Sequence, residues 1–401
     1  MKKVLFISYH FPPIAMSQRS LKFVKYLPKF GWRPIVLTPK KSNYPRIDNT
    51  LLEQIPKQCT IIRLDSCEKY PVSPIIRTSD FLEGWFPMAL KEGVKAIEEK
   101  KIDVIYSVAQ PYLSLIVGVA LKRLTGKPLV IDFRDEWTTN PFIRNINWNH
   151  EQSLLTKQFE KHVLKNADAV ISVRDEIIST LNRISGGQHP SKFHSIPNGF
   201  DPLDFEHLRP IPPKKQFTMG YMGSIYGIRL ATANLFYKSL NTAIHNNKIL
   251  SNQIKLLLIG TLPKIPYTNV TRIASRTGFV NHHTALTYAA SCDLLLLFID
   301  PREGNQIVTS KIYEYINLGK PILAIVPPKG AAANIIRETR TGVVIDSRTP
   351  ASAIPVIIKN IQTWQMSTDS LNPNIIEIQK YDRKKQAGKL ASIMNQLILD
   401  P

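Results

Sequence analysis

The chain has 401 residues, 43% of them hydrophobic, and carries 52 Lys and Arg against 31 Asp and Glu, a formal net charge of +21. That length is too great for one ordinary core and predicts two domains of about 200 residues each, while the longest apolar run, residues 112–121, is half the ~20 residues that a membrane span needs. The charge favours nucleic acid, anionic lipid or phosphorylated ligands as partners and does not choose among them.

Met1-Lys2-Lys3 before Val4-Leu5-Phe6-Ile7 has the start of a signal peptide, but His10 and Pro12-Pro13 end the apolar run early, and the spacing predicts a first strand. Ten basic side chains face one acid, Asp48, in the first fifty residues. Lys22, Lys25 and Lys29 alternate there with Leu21, Phe23, Val24 and Leu27, which predicts a basic amphipathic helix. Its Lys face is either solvated or set against an anionic membrane.

In chain order the pattern predicts a strand at 4–8, a helix at 18–30, strands at 34–37, 61–64 and 104–107, a helix at 112–124 and a strand at 129–133. A helix at 154–165, a strand at 169–173, a helix from Asp175 and a strand at 193–196 follow. Strands apolar on both faces and joined by helices imply a parallel sheet. Pro197, Pro202, Pro210, Pro212 and Pro213 then break the alternation and mark a hinge. A second set begins with a strand at 219–222, a helix at 230–245, a strand at 254–259, a helix near 285–290 and a strand at 294–298. It ends with a helix at 311–318, a strand at 322–326, a helix at 331–339 and a strand at 343–345. Two Rossmann-like halves in tandem are expected, with a site in the cleft between them at the carboxyl ends of the strands. Residues 383–399 predict a last helix that the second sheet does not need. Cys59, Cys67 and Cys292 are odd in number and lack ligand spacing, which predicts reduced thiols in the cytoplasm.

The densest segment is Thr309-Ser310-Lys311-Ile312-Tyr313-Glu314-Tyr315-Ile316-Asn317-Leu318-Gly319-Lys320-Pro321. Ile312, Tyr315 and Ile316 share one helix face and Gly319 suits a left-handed stop. Lys311 and Glu314 are surface neighbours near the helix start, where phosphate is attracted; the same spacing fits a surface ion pair. Gly223-Ser224-Ile225-Tyr226-Gly227-Ile228-Arg229 follows the first strand of the second half and brings a Gly turn and a cation together, a pairing suited to phosphate.

The Ser-Lys-x-x-Glu-Tyr…Gly-Lys-Pro pattern resembles the donor-site helix of nucleotide-sugar-dependent glycosyltransferases with the GT-B fold, in particular the retaining family four. The resemblance covers nearly the whole chain. It implies an α/β, GT-B fold with two Rossmann-like domains facing across a cleft: 1–200 on the acceptor side, 201–380 for the nucleotide sugar, and 381–401 as a helix crossing back to the first domain. It gives Glu314 the ribose hydroxyls, and gives Arg229 and Lys311 the donor diphosphate beside Gly223 and Ser224. Thr277-Gly278-Phe279-Val280 resembles the turn that holds the base, so Gly278, Phe279 and Val280 are expected there. The family often carries a Glu near the donor sugar where Gln306 stands, with Glu303 further upstream; both are assigned to the sugar.

In the first half, Pro12-Pro13 with Arg19 beyond resembles the family's phosphate loop, although Ala15-Met16 replace its glycines; Arg19 is either a ligand or structural. Asp132-Phe133-Arg134-Asp135-Glu136-Trp137 ends a buried strand, which fits either a local ion-pair network capping the strand end or a cleft-facing group; many members have His where Arg134 stands, while a subgroup shows this same Asp-Phe-Arg-Asp-x-Trp string. Arg134 and Asp135 are expected to face the acceptor and the transferring sugar, and Pro197-Asn198-Gly199-Phe200-Asp201 matches an element before the hinge. His162, His194, His282 and His283 show no ligand pattern, so no metal is expected.

The resemblance implies transfer of a sugar from a nucleoside diphosphate sugar, foremost a UDP-sugar, to an acceptor hydroxyl with retention and without a further cofactor. The expected acceptor is a saccharide or lipid-linked saccharide of surface polysaccharide or glycolipid assembly. The location is cytoplasmic, with an anionic inner membrane face as a partner and no nucleic acid. Two rivals stand beside it: a non-hydrolysing nucleotide-sugar epimerase of the same fold, and a basic nucleic-acid-binding protein, against which no binding motif is present.

Overall fold

A computed structural model describes residues 1–40, 46–65, 85–140, 150–210, 216–365 and 371–399. Cys67, Pro212 and Pro213, read above for thiol state and hinge, lie outside these residues. The chain divides into two compact units, Met1–Asn198 with Arg383–Pro401, and Gly199–Asp382.

In the first unit β1 (Lys2–Ile7), β2 (Trp32–Pro39), β3 (Thr60–Leu64), β4 (Val104–Val108), β5 (Leu129–Asp132), β6 (Ala169–Ser172) and β7 (Phe193–Ser195) form a parallel sheet in the order β3-β2-β1-β4-β5-β6-β7. Helices cover both faces, so β4, β5 and β6 are buried throughout and read as unbroken apolar runs. Leu5, Ile7, Ile105 and Ile131 point into one cluster with Leu115 and Leu121, and Val4, Phe6 and Val36 into another with Phe23, Leu390 and Met394. That second cluster joins the helix Gln18–Tyr26 to the helix Arg383–Leu399, which also lays Gly388 against the Phe30 ring.

Three sequence expectations change here. The helix at 18–30 is α-helical to Tyr26 and then tightens into a 3-10 turn, Leu27–Phe30, where Pro28 has no N–H to continue the ladder. The Lys face is not a solvated stripe. Lys22 is 2% exposed and donates to Gln54 Oε1 at 2.6 Å, and Lys25 lies over the Tyr26 ring, because the helix is packed from both sides. Of the three lysines only Lys29 is exposed, so this helix offers no flat basic surface to lipid. Finally, Phe86–Lys100 is a helix that the pattern did not announce.

In the second unit β8 (Phe217–Met222), β9 (Ile254–Ile259), β10 (Ala274–Arg276), β11 (Leu294–Phe298), β12 (Ile322–Val326) and β13 (Gly342–Asp346) form a parallel sheet in the order β10-β9-β8-β11-β12-β13. Counting from β8, this repeats the strand order of the first sheet. In each sheet the order reverses beside the first strand, between β1 and β4 and between β8 and β11, and ligands of such sheets sit outside the carboxyl ends of the strands at that point. One face packs the helices Arg229–His245 and Ala353–Gln365 through Phe236, Leu240 and Ile357. The other packs His282–Ala290, Lys311–Asn317 and Ala331–Thr339 through Leu286, Ile316 and Ile336. Two Rossmann-like units on one chain constitute the GT-B fold.

Candidate functional site

The loops at the carboxyl ends of β8, β9 and β10 turn on glycine. Gly223 has φ 99°, and a Cβ there would stand 2.5 Å from Lys311 Cε, so the lysine stem lies directly on the loop backbone. Gly260 has φ 118°, a Cβ on it would meet Gly223 O at 2.9 Å, and it pairs with Gly278 in an isolated bridge. Only glycine permits both the left-handed backbone and this approach.

Lys311 opens the helix Lys311–Asn317, whose Tyr315 hydroxyl accepts the Met222 N–H at 2.8 Å and pins the helix to the end of β8. Lys311 Nζ is 5.5 Å from the centre of the Tyr221 ring, whose hydroxyl donates to Ser224 O at 3.2 Å. Burial raises the Tyr221 pKa while the nearby Arg229 charge works the other way, so the phenol stays neutral between two cations. Thr309 Oγ1, two residues before the helix, is buried without a hydrogen-bond partner among the described residues.

Arg229 opens the helix Arg229–His245 beside Gly223, but it is already paired. Its Nε donates to Glu303 Oε1 at 2.9 Å and its Nη2 to Glu303 Oε2. Oε1 also accepts the Asp300 N–H at 2.9 Å, and Asp300 accepts from Thr232 Oγ1 and from Arg302. The Arg302 bonds pull the Asp300 pKa down against the effect of burial. Glu303, assigned to the donor sugar from sequence, is therefore corrected: it is 2% exposed and both oxygens serve Arg229. The Tyr221 hydroxyl is a further side-chain hydrogen-bond partner of Arg229. Gln306 is exposed, Ser224 is half-buried, Phe279 is 51% exposed and Val280 packs partly on the core.

Glu314 faces His282. Nε2 of the imidazole is 2.7 Å from Glu314 Oε1, and Nδ1 is 3.8 Å from Asp204 Oδ2. His282 starts the helix His282–Ala290, whose cap is the Asn281 side chain on Thr284 N. Sequence reasoning missed this residue, because its partners are 32 and 78 positions away (314 − 282 and 282 − 204) and no local spacing marks it.

Arg134 and Asp135 belong to the first unit, after β5. Arg134 has φ 55°, a conformation that costs a non-glycine residue ~1 kcal/mol or more. It is held by Asp132 Oδ1 on its N–H at 3.2 Å and by Ser172 Oγ on its carbonyl at 3.0 Å. Asp135 is exposed. Arg19 is structural: 2% exposed, it donates to Asp132 Oδ2 at 2.6 Å and to the Ile196 and Pro197 carbonyls, both at 3.0 Å. Among the described residues no group of three or more His, Cys, Asp or Glu side chains could hold a metal ion, and no helix is long and apolar enough to cross a membrane.

Residues 17–202 match the family model described as Glycosyltransferase Family 4. No curated protein matches the chain. Among solved structures it is similar to a glycosyltransferase from Rickettsia africae at 14% identity and TM-score 0.66, covering 100% of this chain and 99% of that one. It is also similar to Anabaena HepE in complex with UDP and glucose, at 18% identity, TM-score 0.65 and coverage of 99% and 100%. A third is WaaG, a glycosyltransferase involved in lipopolysaccharide biosynthesis, at 15% identity, TM-score 0.60 and coverage of 98% and 99%. The match to Glycosyltransferase Family 4 covers less than half of the chain, and the likeness to these solved structures, together with the strand order of the two sheets, shows the GT-B fold.

Proposed function

We propose that the chain is a retaining glycosyltransferase that moves a sugar from a nucleoside diphosphate sugar, foremost a UDP-sugar, to a hydroxyl of a saccharide or lipid-linked saccharide in surface polysaccharide or glycolipid assembly. The observation that carries this reading is the seat of Lys311 on Gly223, with Glu314 one helix turn away. A cation for the diphosphate and a carboxylate for the ribose hydroxyls are thereby spaced as a nucleotide needs. The UDP and glucose bound in HepE support the choice of nucleotide, and the role of WaaG in lipopolysaccharide biosynthesis supports the acceptor class.

In this mechanism the bond from the anomeric carbon to the β-phosphate oxygen breaks and a bond to the acceptor oxygen forms on the same face. The acceptor proton passes to the leaving diphosphate, so no protein nucleophile is needed. Lys311, Arg229 and the N–H groups of the Gly223 loop meet the charge that develops on the diphosphate, already in place before the reaction. Gly278, Phe279 and Val280 hold the base, Gln306 meets the donor sugar, and Arg134 with Asp135 serves the acceptor side. A cytoplasmic enzyme resting on an anionic membrane face fits the charge of +21. Its basic surface must come from elements other than the helix Gln18–Tyr26.

Calorimetry against UDP, GDP, ADP and dTDP, repeated with Lys311→Ala and Glu314→Ala, tests the donor site. Tight binding of UDP weakened by both substitutions supports the reading, and no binding to any of the four overturns it. Incubation with UDP-sugars in the absence of acceptor tests the epimerase rival, which alone would yield an epimerised nucleotide sugar.

A further inference from the structure

We propose that the first unit holds an anion site built on Arg134, which takes a negatively charged group of the acceptor, a phosphate or a carboxylate. Only the identification of this ligand as the acceptor rests on the transferase reading; the site is argued from the unit itself.

The Arg134 backbone is fixed in place, and among the described residues no salt bridge neutralises its guanidinium. Side chains from β5 and β6 clamp the Arg134 backbone on both sides, Asp132 on its N–H and Ser172 on its carbonyl. The carboxylate nearest in sequence cannot also neutralise the side chain. Asp132 Oδ2 accepts from Arg19 Nε at 2.6 Å and from the Tyr106 hydroxyl at 2.5 Å, and Oδ1 is taken by the Arg134 N–H. Arg134 Nε is buried without a hydrogen-bond partner, and no described residue forms an ion pair with its guanidinium. A buried donor in that state is rare unless a ligand completes it.

The opposite wall adds no positive charge of its own. His10 follows β1, half-buried, and burial first and the Arg134 charge second hold its pKa at about 4, so the imidazole is neutral at pH 7. Arg19 and Asp132 cancel, and Arg134 brings its guanidinium to the carboxyl ends of β1 and β5 with the acids Asp135 and Glu136 next to it in sequence. The planar guanidinium fork suits phosphate and carboxylate alike, and both are met by charge-assisted bonds. Many members of the family that the chain resembles have His at this position, while a subgroup shows this same Asp-Phe-Arg-Asp-x-Trp string.

The test uses the full chain with three probes, glucose 6-phosphate, methyl glucuronide and the neutral methyl glucoside. Their binding is measured by calorimetry with and without UDP, for wild type, Arg134→Gln and Arg134→Lys. In wild type at least one charged probe should bind about 10-fold tighter than the glucoside, the gain of a charge-assisted pair. Preference for the phosphate or for the glucuronide names the source of the anion. Arg134→Gln should abolish the preference and Arg134→Lys should keep part of it, while UDP affinity stays as in wild type. The His10 imidazole resonance should shift when the charged probe binds and not with the glucoside. Equal binding of charged and neutral probes, or a preference that survives Arg134→Gln, overturns the proposal. Loss of UDP affinity in Arg134→Gln would also overturn it, by placing Arg134 on the donor. Failure of UDP, GDP, ADP and dTDP alike to bind would instead defeat the transferase reading, while the charge preference would still decide the anion site.

Discussion

Glu303 holds the Arg229 guanidinium with both carboxylate oxygens, although 74 residues separate the two in the chain. They meet because β8 and β11 are neighbours at the reversal of strand order, so the loop after one strand opens onto the loop after the other. A ligand for the Gly223 loop meets Arg229 with its charge balanced and its direction fixed.

The Glu303→Gln variant tests this pairing through stability. It leaves a largely buried guanidinium without its carboxylate, which should lower unfolding free energy by about 3 kcal/mol. Replacing both residues, Arg229→Leu with Glu303→Leu, should cost less than the sum of the single changes, because no orphaned charge remains. Denaturant unfolding of the wild type, the two single leucine variants and the double variant would show it; additive losses would mean that the pair is not a unit.

Gly223→Ala is expected to lower nucleotide affinity, beside the stability cost of a side chain on a left-handed backbone. The new methyl would take the space of Lys311 Cε, 2.5 Å away, and the backbone at φ 99° resists a side chain. UDP affinity should fall by about 10-fold or more, equivalent to ~1.4 kcal/mol. Calorimetry reads the loss, and a wild-type value would separate Lys311 from the diphosphate.

His282→Ala should weaken UDP binding by a smaller factor than Glu314→Ala, on the order of 3-fold against 30-fold. The imidazole at 2.7 Å orients Glu314 but is not itself the ribose ligand in the proposed function. A His282→Gln variant that keeps a donor at that place should recover part of the affinity. Equal losses in the two alanine variants would make His282 a direct ligand.

His10 gives the fold a pH dependence of definite sign. Its pKa falls from 6.5 to about 4 on burial and beside Arg134, so between these values the unfolded chain binds more protons than the folded one. Stability therefore rises with pH across this window and its His10 contribution is flat above it, a span of about 3 kcal/mol from the shift. Thermal unfolding from pH 4 to 7 should show a shallower slope in His10→Asn than in wild type; parallel slopes would contradict it.

The alternation of strands and helices was readable because both sheets are covered on two sides, so that β4, β11 and β12 stand out as buried apolar runs. The helix Phe86–Lys100 escaped because Pro87 and Gly93 blur its period, and Gly93 is there to let Leu121 approach: a Cβ would lie 2.7 Å from Leu121 Cδ1. In the second unit Lys311 and Glu314 were readable together, being neighbours on one helix. The pairs Arg229 with Glu303 and His282 with Glu314 were not, since each joins elements far apart in sequence that only the fold brings together. Lys22 deceived for a related reason: its charge predicts water, but it is buried and donates to Gln54, 32 positions away.

The packing of Leu390, Ala391 and Met394 on Phe23, Val24 and Trp32 makes the first unit discontinuous in the chain. During synthesis its last core layer reaches the ribosome exit some 185 residues after Asn198 (383 − 198), whereas Gly199–Asp382 is complete before that layer emerges. At ~5–20 residues per second the delay is roughly ten to forty seconds. For that time the nascent chain carries an uncovered apolar face at its beginning, and the contiguous unit, though second in the sequence, is the one that can finish folding first.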